Sequence, residues 1–348
     1  MTAISAPDRL VLRMPNWLGD AIMALPAAAA VRAAFPSAHI AVAAPASIAP
    51  IFEEQTLARQ DSVVSIAKRD READDLGAGS FDAALLFPNS FGSAWKARQA
   101  GIPQRWGFSG AFRRPILTRA VKRPVETIHQ SAYYLALVRG LGIPAEDVTA
   151  SLTVRPETLR RSHDLLARHG LHADDLLVGF APGAAYGHAK RWPPGRVAEL
   201  ITRVSREHHA VSVLVGAGGD RDAAREIESL LPPDVRVVNL IGRTDLRQLA
   251  GVLARCRAFV SNDSGAMHLA AAIGVPVAAI FGPTDDRVTA PLGQHDVLIH
   301  QVFCRPCMLR DCPIDHRCMK GITVDAVFNA VDGRLRPERR PRPERSGP

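Results

Sequence analysis

The chain has 348 residues and a formal net charge of +8, and its 47% hydrophobic and 22% charged residues are ordinary for a globular protein. Its length predicts two domains, and the lack of an apolar run of about 18 residues argues against a membrane-spanning helix. Asp8 and Arg9 interrupt the segment where a signal peptide would be apolar, and the five cysteines do not resemble a secreted disulfide framework. We therefore expect a cytoplasmic protein.

The first half of the chain alternates short apolar segments with helical stretches. Strands are predicted at residues 10–14, 40–44, 63–66 and 83–87, with one helix after the turn at 15–20 and another at 127–141. Pro144, Pro156 and polar stretches mark residues 142–175 as the boundary between domains. We assign residues 1–170 to one domain and 171–333 to the other.

The second half repeats this alternation. Strands are predicted at residues 176–181, 211–215, 236–240, 258–261 and in a segment that ends at 281. Helices are predicted at residues 194–208, 220–231, 246–256 and from 264 onward. Alternating strands and helices indicate parallel sheets covered on both faces, so the fold class is α/β, with two doubly wound, Rossmann-like domains facing across a cleft. Ligands of such sheets bind outside the carboxyl ends of the strands.

Residues 258–268 predict an anion-binding site. A buried strand, a polar turn and a helix that begins near Ser264 bring unpaired backbone N–H groups and the positive end of a helix dipole together. Gly265 would let a ligand approach the backbone, and His268 lies one turn into the helix. The alternative is that Asp263 only caps the helix and that His268 is an ordinary surface residue.

Two other turns carry charged residues to the predicted cleft. Asp20 follows Gly19 at a helix start, where its carboxylate serves either as a plain N-cap or as a general base. Gly183 and Lys190 lie in the loop after the strand at 176–181. A lysine in such a loop suits the diphosphate of a leaving group.

Residues 96–123 hold eight basic side chains and no acidic one, and Trp95, Trp106, Phe108 and Phe112 are interleaved with them. This pattern favours a surface for a polyanionic, partly apolar partner, although a solvated face is the common alternative for a charge run. No zinc-finger, RNP or helix-turn-helix signature is present, so we expect no nucleic-acid partner.

The end of the chain has two further features. Cys304, Cys307, Cys312 and Cys318, with His316 nearby, would either hold structural zinc or an iron–sulfur cluster or pack, reduced, into a lid. Residues 334–348 contain six arginines and two glutamates among prolines, which predicts a disordered tail.

Six segments occur in an order that resembles one family. They are residues 15–20, 87–91, 100–105, 182–193, 262–268 and 281–284. Together they are similar to the ADP-heptose:lipopolysaccharide heptosyltransferases of glycosyltransferase family 9, over roughly residues 8–330. Residues 88–90 and 183–187 favour the type II branch of the family.

The resemblance implies a two-domain GT-B fold and an inverting glycosyl transfer that uses no metal or other cofactor. Asp20 would be the general base that deprotonates the acceptor hydroxyl, and Lys190 would stabilise the departing ADP. The donor ADP-heptose would be bound by Gly183, Lys190, Asp263, Ser264, Gly265 and His268. The acceptor would be bound by Asn89, Ser90, Arg105, Arg113 and Arg114.

The acceptor implied by the resemblance is a phosphorylated lipid A that carries acidic Kdo sugars. Its charge is opposite to that of residues 96–123, and its location implies a protein peripheral to the inner membrane. Alternatives are a type I heptosyltransferase, a sibling enzyme with another acceptor, or a nucleotide-binding module without catalysis.

Overall fold

A computed structural model describes residues 6–68, 70–184 and 187–336. Ala185 and Tyr186, which belong to the segment 182–193, lie outside the described residues, as do residues 337–348 of the predicted tail. Among the described residues, no helix combines the length and apolar content that crossing a bilayer requires.

Apolar segments of the first half form a six-stranded parallel sheet in the order β4-β2-β1-β5-β6-β7, and two short strands, β3 and β8, pair antiparallel beside it. The strands are β1 (Arg9–Arg13), β2 (His39–Pro45), β3 (Gln55–Thr56), β4 (Ser62–Ile66), β5 (Ala83–Leu86), β6 (Gln104–Phe108), β7 (Arg119–Val121) and β8 (Leu152–Thr153). β1, β2 and β5 are buried on both faces, as central parallel strands must be.

The helices of the first half cover the two faces of this sheet. They are α1 (Leu18–Met23), α2 (Leu25–Ala34), α3 (Glu72–Gly77), α4 (Phe91–Gln99) and α5 (Gln130–Gly140). The single helix predicted after residue 20 is therefore two helices, because the chain breaks at Ala24 and Pro26 occupies the start of α2. Proline is tolerated there because the first turn of a helix has no partner for its N–H.

The second half forms another six-stranded parallel sheet, in the order β11-β10-β9-β12-β13-β14. Its strands are β9 (Leu177–Ala181), β10 (Val211–Leu214), β11 (Val237–Asn239), β12 (Ala258–Asn262), β13 (Val277–Phe281) and β14 (His295–Ile299). The helices are α6 (Pro156–Arg168), α7 (Pro194–His208), α8 (Arg221–Leu230), α9 (Leu246–Ala254), α10 (Gly265–Ile273), α11 (Asp286–Thr289), α12 (Arg317–Lys320) and α13 (Val324–Leu335). The predicted α/β class with two doubly wound sheets is confirmed.

Two features bear on the predicted domain limits. α6 lies before residue 170, yet it packs against α9 of the second half. α13 continues to Leu335, one residue beyond the predicted start of the tail at residue 334. The division at residue 170 stays a prediction.

The strand orders identify where ligands should bind. In each sheet the winding direction reverses between two central strands, β1 and β5 in the first sheet and β9 and β12 in the second. Loops that leave neighbouring strands at such a switch point diverge to opposite faces and open a crevice. The four switch-point loops begin at Met14, Phe87, Pro182 and Asp263; the last three carry residues predicted for the site, and the first leads into α1, which carries Asp20.

Candidate active site

A cleft of about 580 Å³ lies where switch-point loops of the two sheets meet. Asp20 lines it from the first half, and Lys190, Asp263 and His268 line it from the second. The structure thus brings together the residues predicted for catalysis and most of those predicted for the donor. The remaining predicted donor residue, Gly183, is in the loop after β9 and does not line this cleft.

Asp20 is the third residue of α1, whose N-cap is Trp17. The alternative that Asp20 is an N-cap is therefore wrong. Its carboxylate accepts a hydrogen bond from the hydroxyl of Tyr134. Burial raises the pKa of Asp20 above its usual range and Asp263 raises it further, whereas the Tyr134 hydrogen bond and Lys190 lower it. A carboxylate with a raised pKa is a stronger base than one on the surface.

Asp263 and Lys190 form a buried ion pair on the opposite wall of the cleft. Lys190 Nζ lies 2.5 Å from Asp263 Oδ2, and Thr284 Oγ1 donates a hydrogen bond of 2.8 Å to the same oxygen. The N-cap of α10 is Ser264, so the alternative that Asp263 caps this helix is also wrong. The pair places a lysine ammonium beside the start of α10, where the helix dipole is also positive.

Two glycines that line the cleft let α1 of the first half pack directly against α10 of the second. A Cβ atom on Gly19 would lie 2.6 Å from Cδ2 of His268, and a Cβ atom on Gly265 would lie 2.9 Å from Cβ of Leu18. A larger residue at either position would have to displace the facing side chain, and since Gly265 faces Leu18, the expectation that it lets a ligand approach the backbone is corrected. This contact holds Asp20, on the first half, close to Asp263 on the second.

His268 is buried, with 4% of its surface exposed, which excludes the alternative of an ordinary surface residue. Burial lowers the pKa of His268 to about 4, so its imidazole is neutral at physiological pH. Its Nδ1 has no hydrogen-bond partner among the described residues. His268 therefore packs as a neutral ring against Gly19 while one edge borders the cleft.

Gly183 belongs to a loop that is tied to β12. Asn262 Nδ2 donates hydrogen bonds to the carbonyl oxygens of Pro182 and Gly183 at 2.7 and 3.2 Å, and Asn262 Oδ1 accepts one from the N–H of Trp192. A Cβ atom on Gly183 would lie 2.0 Å from Cγ of Asp220, so a larger residue there would have to displace the Asp220 side chain. Asn262 thus fixes both ends of the loop that carries Lys190.

Three residues of the cysteine-rich part of the chain, Pro306, Met308 and Arg310, line the cleft together with residues of the second half. The N–H of Ala189 donates to the carbonyl oxygen of Arg310 at 2.9 Å. The N–H of Met308 donates to the carbonyl oxygen of Pro283, also at 2.9 Å. This arrangement fits the alternative of a lid. No group of three or more His, Cys, Asp or Glu side chains in the described ranges is placed to hold a metal ion.

The predicted acceptor residues Asn89 and Ser90 have structural partners. Asn89 Nδ2 donates to the hydroxyl of Tyr133 at 2.8 Å, and Ser90 caps α4 by accepting from the N–H of Ser93 at 3.2 Å. Because Tyr133 precedes Tyr134, the partner of Asp20, this loop is connected to Asp20 through two adjacent residues of α5. Both residues border the predicted acceptor side without lining the cleft itself.

Arg113 is completely buried, which corrects its prediction as a direct acceptor contact. Its Nε donates to the carbonyl oxygen of Phe108 at 2.7 Å, and Nη1 donates to that of Pro88. Burial lowers the pKa of Arg113 to about 10, which still leaves it charged. A guanidinium without surface exposure acts on the acceptor only by holding the loop after β5.

The remaining part of the basic stretch divides into interior and surface. Trp106 and Phe108 are fully buried in β6, so the continuous basic and aromatic surface predicted for residues 96–123 is wrong. Arg105 is half-buried and donates to the carbonyl oxygen of Ile116 at 2.8 Å, whereas Arg114 is exposed. The sequence did not predict this division, because β6 combines polar and apolar residues and so lacks the apolar pattern of a strand.

Two residues of the site were missed altogether. Tyr134 lies in α5, far along the chain from Asp20, and no pattern in the sequence points to it. Thr284 is in the segment 281–284 that carries part of the family resemblance, so that segment was the available signal.

Comparison with known proteins decides the family. The model of glycosyltransferase family 9 (heptosyltransferase) matches residues 69–317. The chain belongs to this family. It is therefore a glycosyltransferase, as predicted.

Relatives match over most of the chain. It is 32% identical to lipooligosaccharide heptosyltransferase 2 of Haemophilus influenzae, a match covering 83% of this chain and 87% of the relative. It is also 32% identical to lipopolysaccharide heptosyltransferase 2 of Escherichia coli, covering 80% and 84%. The solved structure of E. coli ADP-heptose LPS heptosyltransferase II superposes with a TM-score of 0.80 at 28% identity, covering 94% and 98%. These neighbours confirm the GT-B fold.

Proposed function

We propose that this enzyme transfers heptose from ADP-heptose to the inner core of lipopolysaccharide, as a type II heptosyltransferase. The family and the relatives named heptosyltransferase 2 support this activity. The observation that carries the mechanism is the pairing of Asp20 with the Lys190–Asp263 ion pair across one cleft. One wall supplies a base and the other supplies a cation and a helix start.

Asp20 is the general base of this mechanism. Its carboxylate accepts the proton of an acceptor hydroxyl while that oxygen attacks the anomeric carbon of the heptose. The bond between this carbon and the diphosphate oxygen breaks on the opposite side, so the configuration inverts and ADP leaves with the electron pair. The raised pKa of Asp20 suits this step because it brings the base closer to the pKa at which proton transfer is efficient.

Lys190 stabilises the charge that develops on the leaving diphosphate, together with the start of α10. Ser264 and Gly265 contribute backbone N–H groups there, since both line the cleft at the start of α10. Both polar contacts of Asp263 described above use Oδ2, so we assign Oδ1 to the heptose hydroxyls. Gly183 and His268 shape the donor site and add no charge to it, because glycine has no side chain and the imidazole is neutral.

The acceptor binds on the first half, beside Asn89, Ser90, Arg105 and Arg114. Arg114 is the exposed cation among them and suits an acceptor phosphate or an acidic Kdo sugar. A phosphorylated lipid A–Kdo type of acceptor places the enzyme at the cytoplasmic face of the inner membrane, as a peripheral protein. Arg113 supports this surface from below.

The test is a transfer assay with the purified full-length protein, ADP-heptose and two acceptors. One acceptor is lipopolysaccharide that ends before the second heptose, and the other lacks heptose entirely. We expect transfer to the first only, with linkage analysis showing heptose attached to heptose. Transfer to the heptose-free acceptor would instead indicate the type I reaction, and no transfer to either would contradict the proposal.

A further inference from the structure

We propose that one face of the first half is a docking surface for an anionic phospholipid bilayer. This docking patch consists of Phe91, Trp95, Arg98, Phe112, Arg114 and Lys122. It deepens the proposed function, because it rests on an acceptor that is itself held in a membrane. Membrane binding by this patch can be disproved even if the protein does transfer heptose.

The first part of the docking patch is a stripe along α4. Phe91, Trp95 and Arg98 recur at intervals of four and three residues, so they lie on one side of the helix. The rings of Phe91 and Trp95 stack at 6.1 Å, and the guanidinium of Arg98 lies 5.7 Å from the Trp95 ring. The opposite side, with Ala94 and Ala97, is buried in the core.

Both aromatic rings of this stripe are substantially exposed, Phe91 at 45% and Trp95 at 40%. The solvent side of a short helix normally carries polar residues, since its apolar side already packs on the sheet. Neighbouring exposed aromatic residues indicate a surface that is covered in use. Tryptophan flanked by arginine is typical of the interface between a bilayer and water.

The second part is the turn before Arg113, which presents Phe112 with 94% of its surface exposed. Ala111 and Phe112 have φ values of 47° and 56°, a backbone region that is costly for residues with side chains. The buried guanidinium of Arg113 holds the turn in this conformation. The fold therefore maintains strain in order to present a bulky apolar ring to the outside.

The same arginine joins the two parts of the docking patch. Arg113 Nη1 reaches the carbonyl oxygen of Pro88 and lies 3.4 Å from Ser93 Oγ, a residue in the first turn of α4. The turn with Phe112 is thus anchored to the N-terminal end of α4, the helix that carries Phe91. We infer that these two exposed apolar elements, separate in the sequence, present one surface.

The charge of this surface selects the partner. Arg98, Arg114 and Lys122 are exposed, and no acidic residue occurs between residues 96 and 123. Protein interfaces are depleted in lysine, whereas exposed cations beside aromatic rings suit the phosphates and the outer acyl region of an anionic bilayer. An anionic bilayer is therefore the partner that fits both properties.

The test is co-sedimentation of the full-length protein with two kinds of vesicle, one of phosphatidylcholine alone and one that also contains phosphatidylglycerol. We expect binding to the mixed vesicles that weakens with salt, and much weaker binding to the neutral ones. Phe112→Asn should lower partition about tenfold, because it removes an inserted ring. Asparagine tolerates the positive φ of this position, so the turn is kept.

A charge variant and two controls make the result specific. Lys122→Gln should lower partition into the mixed vesicles about fivefold. Leu230→Asn and Arg225→Gln change an exposed leucine and an exposed arginine on α8 of the second half, and neither should change binding. Equal binding by Phe112→Asn and Leu230→Asn, or no binding of the unmodified protein to mixed vesicles, would overturn the proposal.

A water-soluble, deacylated acceptor separates docking from catalysis. Phe112→Asn should transfer heptose to this acceptor at the unmodified rate, and should be slower only on acceptor embedded in vesicles. A comparable loss on the deacylated acceptor would mean that Phe112 contacts the sugar, and docking would be refuted. Vesicle binding without any heptosyl transfer would refute the proposed function and leave the docking patch standing.

Discussion

The two carboxylates that face the cleft, Asp20 on the first half and Asp263 on the second, are held in opposite ways. Asp263 is nearly buried and bound by a lysine and a threonine, so its charge is neutralised locally. Asp20 accepts its hydrogen bond from a neutral tyrosine, and its burial raises its pKa. The difference teaches that partners, and not residue type alone, set the surroundings of a carboxylate, which is why we propose Asp20 and not Asp263 as the base.

The largest expected effect comes from Asp20→Asn. The amide cannot accept the acceptor's proton, so kcat should fall about a thousandfold, while KM for ADP-heptose stays within about twofold. Initial-rate kinetics measure both parameters. Asp285→Asn is the matched control, because Asp285 lines the same cleft but bonds Arg287 and caps α11, which asparagine also does. Full turnover by Asp20→Asn would show that Asp20 is not the base, and the proposed difference in role between Asp20 and Asp263 would be wrong.

Lys190→Gln tests the other wall. Loss of the ammonium should lower kcat about a hundredfold, since stabilisation of the leaving diphosphate is lost, and inhibition by ADP should weaken. A thermal melt is needed beside the kinetics, because the change also leaves Asp263 buried without its cation. Lower stability with unchanged kcat would show that Lys190 serves only to hold Asp263.

A smaller effect is expected from Tyr134→Phe. The Tyr134 hydroxyl lowers the pKa of Asp20, so its removal raises that pKa further. Activity requires the carboxylate and falls as the pH drops through this pKa, so the acidic limb of the pH–rate profile should move to higher pH. At alkaline pH the rate should be nearly unchanged. Tyr133→Phe, which removes the partner of Asn89 instead, should leave the limb in place.

The smallest expected effect is that of EDTA, which should leave the rate unchanged. A divalent ion shared by Asp20 and Asp263 would give both carboxylates the same role as metal ligands, and chelation would then abolish activity. Transfer rates measured after dialysis against EDTA decide between these cases. Recovery of a lost rate on adding Mg²⁺ or Mn²⁺ would overturn the mechanism proposed for Asp20.

Local sequence patterns predicted the strands, turns and helices that form the site, but not the hydrogen bonds between residues far apart in the sequence. The strand, turn and helix around Asp263 follow from apolar runs and a glycine within about fifteen residues, and the same holds for Asp20 beside Gly19. The hydrogen bond from Tyr134 to Asp20 joins residues over a hundred positions apart, which no periodicity encodes. Such contacts depend on how elements pack, which becomes visible only in the folded chain.

The basic stretch shows a second reason for failure. A run of cations suggests solvent exposure at every position, yet Arg113 turns inward because backbone carbonyl groups after β5 and β6 need donors there. Trp106 is buried because β6 extends the sheet, and the charged residues around it concealed the apolar pattern of a strand. The positive charge of an acceptor surface stays a prediction from composition, while the division into core and surface needed the sheet register.

The missing side chains of Gly19 and Gly265 set the working distance of the enzyme. In the proposed mechanism, the base on one half and the donor site on the other must keep a fixed spacing so that attack on the anomeric carbon stays in line. Here that spacing is fixed by two backbones that press against Leu18 and His268, neither of which is charged at neutral pH. An alanine at residue 19 would displace the His268 ring, and we expect the transfer rate to fall although every reacting group is still present.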